Sequence, residues 1–170
     1  MLRFFILFIV IQLGLFIFDL SATGQQYVVI PFTEFIAKIS VFIIQSFDDQ
    51  VVSRGVEIWT HNWSFGISIE AGCNGVEASI VLIAAMLAFP ASLKAKAIGI
   101  FIGFMAVQFM NLLRIISLFY IGQWNQAVFE WAHLYIWQVL IMLDVLVVFL
   151  IWLRFLTPPK KEAEDEIKSN

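Results

Sequence analysis

Charge is scarce in this chain. Only 14% of its 170 residues are Asp, Glu, Lys or Arg, whereas soluble domains carry about 25%. With 61% hydrophobic residues, 18 Phe and a mean hydropathy of +0.91, it reads as an integral membrane protein. A basic surface is missing as well. The net charge is −3, much of it from the acidic run 162–165, so nucleic acid is excluded as a partner. Cysteine occurs once, which excludes an intramolecular disulfide, a Cys-rich zinc site and a two-thiol redox exchange. No metal or other cofactor is called for. No small-residue cleavage site follows the apolar run 4–20, and Asp19 stands at its end. That run is therefore expected to remain as a span rather than be removed as a signal peptide. Neither an internal repeat nor a pair of broken apolar segments points to a transporter.

What is present is a series of long apolar runs. A hydrocarbon core about 30 Å thick needs roughly 20 helical residues. Runs 4–20, 97–121 and 134–156 meet this. Run 76–90 is short, ends at Pro90, and borrows part of its outer boundary from residues 67–75. Segment 28–47 contains Pro31, Glu34, Lys38 and Gln45; Glu34 and Lys38 share a face opposite a stripe of Phe35, Ile39, Phe42 and Ile43, the pattern of an interfacial or re-entrant helix. Arg3, Lys94, Lys96, Arg154, Lys160 and Lys161 belong in the cytoplasm by the positive-inside rule, which requires an even number of spans. The expected fold is thus an all-α integral membrane protein, a small transmembrane helix bundle. It has about four spans, one interfacial or re-entrant helix, and cytoplasmic termini. The external loop 48–72 alternates apolar and polar residues around Gly55 and Gly66, which predicts a short β-hairpin-like lid. Residues 1–157 form the membrane-embedded domain, and 158–170 read as a disordered, charged cytoplasmic tail.

Three residues that lipid should exclude fall where these runs meet the outer face. Cys73 opens run 76–90, Arg114 lies six residues short of Tyr120 (about 9 Å down a helix), and His133 opens run 134–156. The topology brings all three to one shallow pocket. A thiol acts as its thiolate, favoured by a helix N-terminus and a nearby cation. An imidazole in reach takes the thiol proton and returns it to a leaving amine, and a guanidinium stabilises an oxyanion. Gly72 and Gly75 beside Cys73, with Asn74 between, leave room for a substrate backbone.

Each residue alone has a plainer reading. A lone cysteine is more often a small buried hydrophobe, and His133 alone would be an ordinary boundary residue. Arg114 has fewer excuses, because an intramembrane arginine is costly. Glu77, one turn below Cys73, either anchors Arg114 or orients a proton donor. Asn111 either holds the guanidinium or a substrate carbonyl, or makes a structural interhelical bond. Glu130, three residues before His133, is a candidate to orient the imidazole. Asp144 reads as packing glue or a support for the site, and His61 as chemically idle. A reading of a different class is a non-enzymatic membrane assembly or scaffold protein, with Arg114 paired structurally to Glu77 or Asp144.

The motifs Gly72-Cys73-Asn74-Gly75, Asn111-Leu112-Leu113-Arg114-Ile115 and His133, in this order, resemble the exosortase/archaeosortase family over residues 4–156. The short chain looks most like the subtype called exosortase H. That resemblance implies a membrane cysteine protease/transpeptidase of the bacterial inner membrane, with Cys73, Arg114 and His133 matching its catalytic triad. It further implies secreted protein substrates bearing a C-terminal tripartite sorting signal of the IPTL type. The acceptor would be a cell-surface glycan, a lipid or water. Asn74 departs from the serine more usual in the family motif, and larger members have more spans.

Overall fold

The computed structural model describes residues 2–156; the charged tail expected at 158–170 lies outside the described residues. Five helices and one small sheet follow in order. Helix α1 is Leu2–Leu20. Helix α2, Ala22–Ile44, is 23 residues long. Its start is fixed by Ser21, whose Oγ accepts from Gly24 N at 2.9 Å, the usual N-cap bond. Strands β1 (Val51–Arg54), β2 (Glu57–Thr60) and β3 (Gly66–Ser68) come next. Helix α3 is Val76–Ala88, α4 is Leu93–Trp124, and α5 is Gln126–Leu156. Ser92 caps α4 through Ala95 N at 3.3 Å, and Asn125 caps α5 through Ala127 N at 2.9 Å.

The bundle is all-helical apart from the sheet, as the sequence led us to expect. Four helices (α1, α2, α4 and α5) are long and apolar enough to cross a membrane. Two details refine the expected division. Helix α3 has 13 residues, only about 20 Å of rise, because Pro90 ends it below and the Gly72–Gly75 turn begins it above. Segment 28–47 is part of a longer helix, since α2 starts at Ala22 and tolerates Pro31. A wide π turn at Gln25–Val29 directly precedes that proline, so its missing N–H falls where the regular ladder is already interrupted. Helix α2 has the length to cross, yet Gln25 bonds the Asp19 carbonyl at the end of α1 (2.7 Å) while Ile36, Ala37, Val41 and Ile44 pack under the sheet.

The sheet is antiparallel, in the order β1-β2-β3, and realises the expected lid with one strand more than a hairpin. Gly55, at φ 60°, makes the tight β1–β2 turn that pairs Arg54 with Glu57. Ile58 faces Ile67 across β2 and β3, and both join a core with α2 and with Ile115 and Phe119 of α4. A second core at the other end joins Leu82 and Met86 of α3, Val107 of α4 and Trp152 of α5. There Phe4 meets Phe89 (ring centroids 6.3 Å), Lys96 Nζ donates to Leu87 O (2.6 Å) and Trp152 Nε1 to Ala95 O (3.1 Å). Arg3, Lys94, Lys96 and Arg154 therefore gather at the end opposite the sheet.

Gly99 exists for this packing: a Cβ there would overlap the Trp152 indole, whereas a Cβ at Gly14 would meet nothing within 4 Å. Gly99→Ala is expected to destabilise the protein in detergent by about 1–3 kcal/mol, the usual cost of overpacking. Gly14→Ala should be neutral or stabilise by up to about 1 kcal/mol, since glycine weakens a helix interior. Thermal unfolding of the two variants side by side checks the pair.

Candidate active site

The turn before α3 is held from several sides. Cys73 N donates to Glu70 O at 2.9 Å, and Gly72 (φ 82°) and Gly75 (φ 76°) both take left-handed conformations that side chains resist. Glu77 Oε1 accepts from Gly72 N at 2.6 Å. Asn74, 1% exposed, works in two directions: its Oδ1 accepts from Val76 N (3.0 Å) and its Nδ2 donates to Thr33 Oγ1 of α2 (3.0 Å). Gln108 of α4 donates from Nε2 to Gly75 O and Ser79 Oγ, each at 3.3 Å. It lies so close that a Cβ on Gly75 would come within 2.8 Å of it. Gly75 is thus fixed twice over, by its backbone angle and by the amide pressed against it.

On this turn the half-buried thiol meets two groups from other helices. Cys73 Sγ lies 3.1 Å from His133 Nε2. Arg114, 2% exposed, donates from Nη2 to Sγ at 3.4 Å and from Nη1 to Gly72 O at 3.2 Å. His133 sits in a second π turn, Ala132–Ile136, which breaks the regular spacing of α5 at this residue; such turns recur at functional sites. The Phe129 ring lies 5.6 Å from the imidazole.

Opposing fields act on the sulfur. Burial pushes the Cys73 thiol above its ordinary value, and the Arg114 guanidinium pulls it down. The carboxylates of Glu77 and Glu70 push it up again, leaving a net rise. The balance favours the protonated form of Cys73, and a thiol becomes a strong nucleophile only when a base takes its proton.

The remaining sequence candidates divide. Asn74, Gly75 and Glu77 all shape the cysteine turn. Glu77 does so by holding Gly72 N, not by anchoring Arg114, so the structural carboxylate pairing considered for Arg114 is replaced by a carbonyl and the thiol. Asn111 is fully buried beneath Gly75, and neither atom of its amide has a hydrogen-bond partner. Glu130 does not reach the imidazole. It is exposed and accepts from Gln126 Nε2 one turn back (3.1 Å), a bond that keeps it on the solvent side of the helix. Asp144 is half-buried with Oδ2 unpartnered, and exposed His61 contributes only its backbone N, to Gln50 O at 2.6 Å. The sequence reading missed Gln108 and Thr33. A signal for Gln108 was there: Gln108, Asn111 and Arg114 recur every third residue along the otherwise apolar stretch 97–116. Among the described residues no three His, Cys, Asp or Glu converge as a metal site.

Beside the turn opens an apolar cavity of about 610 Å³. Gly72, Gly75 and Glu77 line its upper end, Ala78, Val81 and Ala85 its floor, Phe16 of α1 and Ile141 to Phe149 of α5 its walls. Thiol, imidazole and guanidinium together have the chemistry for nucleophilic attack on a carbonyl.

A family profile described as transmembrane exosortase matches residues 2–153, which takes in every element of this site. No significant match was found among curated proteins or solved structures.

The fields on the sulfur make a paired prediction. Arg114→Gln removes the influence that lowers the thiol pKa, so the pH profile of Cys73 alkylation should move to higher pH. Glu77→Gln keeps an oxygen for Gly72 N but removes an influence that raises it, so the profile should move to lower pH. Iodoacetamide labelling of Cys73 across a pH series measures both. Shifts of the same sign in the two variants would refute this account of the electrostatics.

Proposed function

The chain belongs to the transmembrane exosortase family, and within that family's membrane transpeptidase/protease role we propose a cysteine acyl-transfer mechanism centred on Cys73. The observation that carries it is the sulfur lying 3.1 Å from His133 Nε2 and 3.4 Å from Arg114 Nη2. His133 Nε2 takes the thiol proton as Sγ attacks the scissile carbonyl. The forming oxyanion meets the guanidinium already beside the sulfur. Collapse breaks the C–N bond, His133 protonates the departing amine, and a thioester remains on Cys73. An acceptor hydroxyl or amine, or water, then attacks the thioester carbonyl, gives its proton to His133 and releases the thiol.

Family membership supplies secreted substrates with C-terminal signals. In our reading their hydrophobic helix lies in the groove of Phe16, Ala78, Val81 and Ala85, which brings the preceding segment to Cys73. A recognition motif of the IPTL type and a glycan or lipid acceptor at the cell surface complete the reading. The bundle would sit in a bacterial inner membrane. The basic end of Arg3, Lys94, Lys96 and Arg154 would face the cytoplasm with both termini, leaving the sheet and the thiol outside.

Cys73→Ala should abolish both cleavage of a tail-bearing secreted reporter and the hydroxylamine-sensitive adduct on the enzyme. His133→Gln should slow cleavage by about 10²–10⁴-fold, the usual worth of general acid–base catalysis. Arg114→Gln should slow it by about 10²–10³-fold, as for loss of an oxyanion donor. Cleavage that persists at full rate in a folded Cys73→Ala protein would rule out the covalent route.

A further inference from the structure

The sheet has one covered edge and one open one, and the open one leads to Cys73. On the β1 side, α2 packs along the sheet and Gln45 Nε2 donates to Val51 O at 2.9 Å. On the β3 side no further strand pairs among the described residues. The register says which groups are left over. Thr60 N bonds Phe65 O (2.9 Å) and Ile69 N bonds Val56 O (3.1 Å), so Thr60–Phe65, Ile58–Ile67 and Val56–Ile69 are the hydrogen-bonded pairs. Trp59–Gly66 and Glu57–Ser68 are then the non-bonded pairs of the alternating antiparallel ladder. The N–H and C=O groups of Gly66 and Ser68 therefore point away from β2, along the open edge.

Two further features bear on this edge. A three-residue edge strand is short enough to be blunted against self-pairing, yet it runs in five residues to the thiol. The Trp59 indole, held by its Nε1 bond to Glu57 Oε2 (2.8 Å), lies across Gly66 so closely that a Cβ there would overlap it. It forms an apolar roof over β3 at Gly66.

We propose that the outward backbone groups of Gly66 and Ser68 bind the substrate segment preceding the scissile bond as a fourth strand, under the Trp59 indole. This inference rests on Cys73 being the nucleophile. The segment enters from the sheet side and its apolar tail leaves through the groove, so it runs in the same sense as β3. Main-chain pairing supplies affinity at this edge, and the indole selects an aliphatic side chain at alternate positions.

The test uses the full-length protein in detergent and two thiol reagents. One is acetyl-Ala-Leu-Ala-Leu chloromethyl ketone, in which chloride leaves as the sulfur–carbon bond forms. The other is iodoacetamide, which offers no strand to pair. The peptidyl reagent should outpace iodoacetamide at Cys73 once corrected for intrinsic reactivity. Ser68→Pro removes an outward N–H that takes no part in the β2 ladder, and should cut the peptidyl rate about tenfold, the worth of one lost hydrogen bond. It should leave the iodoacetamide rate unchanged, and Ser68→Ala should change neither. Should Ser68→Pro disturb the fold and slow both reagents, N-methylation of the peptide one residue at a time decides on the unaltered protein. Losses at every second position are expected. A peptidyl rate unaffected by Ser68→Pro, or N-methyl effects without alternation, would overturn the proposal. If neither reagent labels Cys73, the nucleophile reading itself fails and this inference goes with it.

Discussion

A guanidinium without a carboxylate governs the sheet end of this protein. Arg114 is buried, its Nη atoms spent on a backbone carbonyl and a sulfur, its Nε without a partner. A charge taken out of water costs several kcal/mol unless another charge compensates it, and neutral acceptors compensate only in part. On the proposed mechanism, the missing anion is one the reaction itself creates, first as thiolate and then as oxyanion. The cation then needs no reorganisation when that charge develops, which is where electrostatic catalysis gains most. The same side chain ties α4 to the turn before α3, so helix packing and sulfur placement cannot vary independently.

That dependence accounts for the polar groups left partly unsatisfied here; among the described residues, Asp19 Oδ1 and Asp144 Oδ2 are the others. Asn111 has no partner for either amide atom, Gln108 none for its oxygen and Glu77 none for Oε2. An unmet buried polar atom costs about 1–3 kcal/mol. Such a cost persists where something else requires the residues: Gln108 holds Gly75 O, and Glu77 holds Gly72 N. Both bonds fix the glycines flanking Cys73, whose left-handed angles would otherwise relax. The turn is rigid because it is gripped from α2, α3 and α4 together.

Much of this could be read from the residues alone. The class of the fold followed from apolar run lengths, the lid from the alternation around Ile58 and Ile67, and the three central side chains from their positions at run boundaries. Periodicity failed where the chain departs from period. Segment 28–47, with Pro31 among its polar residues, read as a separate interfacial or re-entrant helix, but the π turn before Pro31 accommodates the missing N–H, and α2 runs on from Ala22. Glu130 stood at the right spacing to orient His133 in a regular helix. The π turn beginning at Ala132 and a competing bond to Gln126 redirect both side chains. Thr33 carried no signal, because its partner Asn74 is 41 positions away in the sequence, and only packing brings them within 3.0 Å.

The brevity of α3 links the fold to the chemistry. A helix of full span length would carry its N-terminus to the headgroups and leave Cys73 in water. At 13 residues it is roughly 10 Å shorter than a 30 Å core, and on the proposed topology the turn of Gly72 to Gly75 would occupy the depth that remains. On the proposed reading the sulfur sits at the junction of two surfaces with different solvents: the sheet edge above, with backbone groups for an extended chain, and the apolar groove below for a helix in lipid. A substrate whose conformation changes from strand to helix at that boundary would present its least protected peptide bond there. A polar nucleophile placed any deeper would lose access to an acceptor from outside, and one placed higher would lose the low dielectric that makes Arg114 effective.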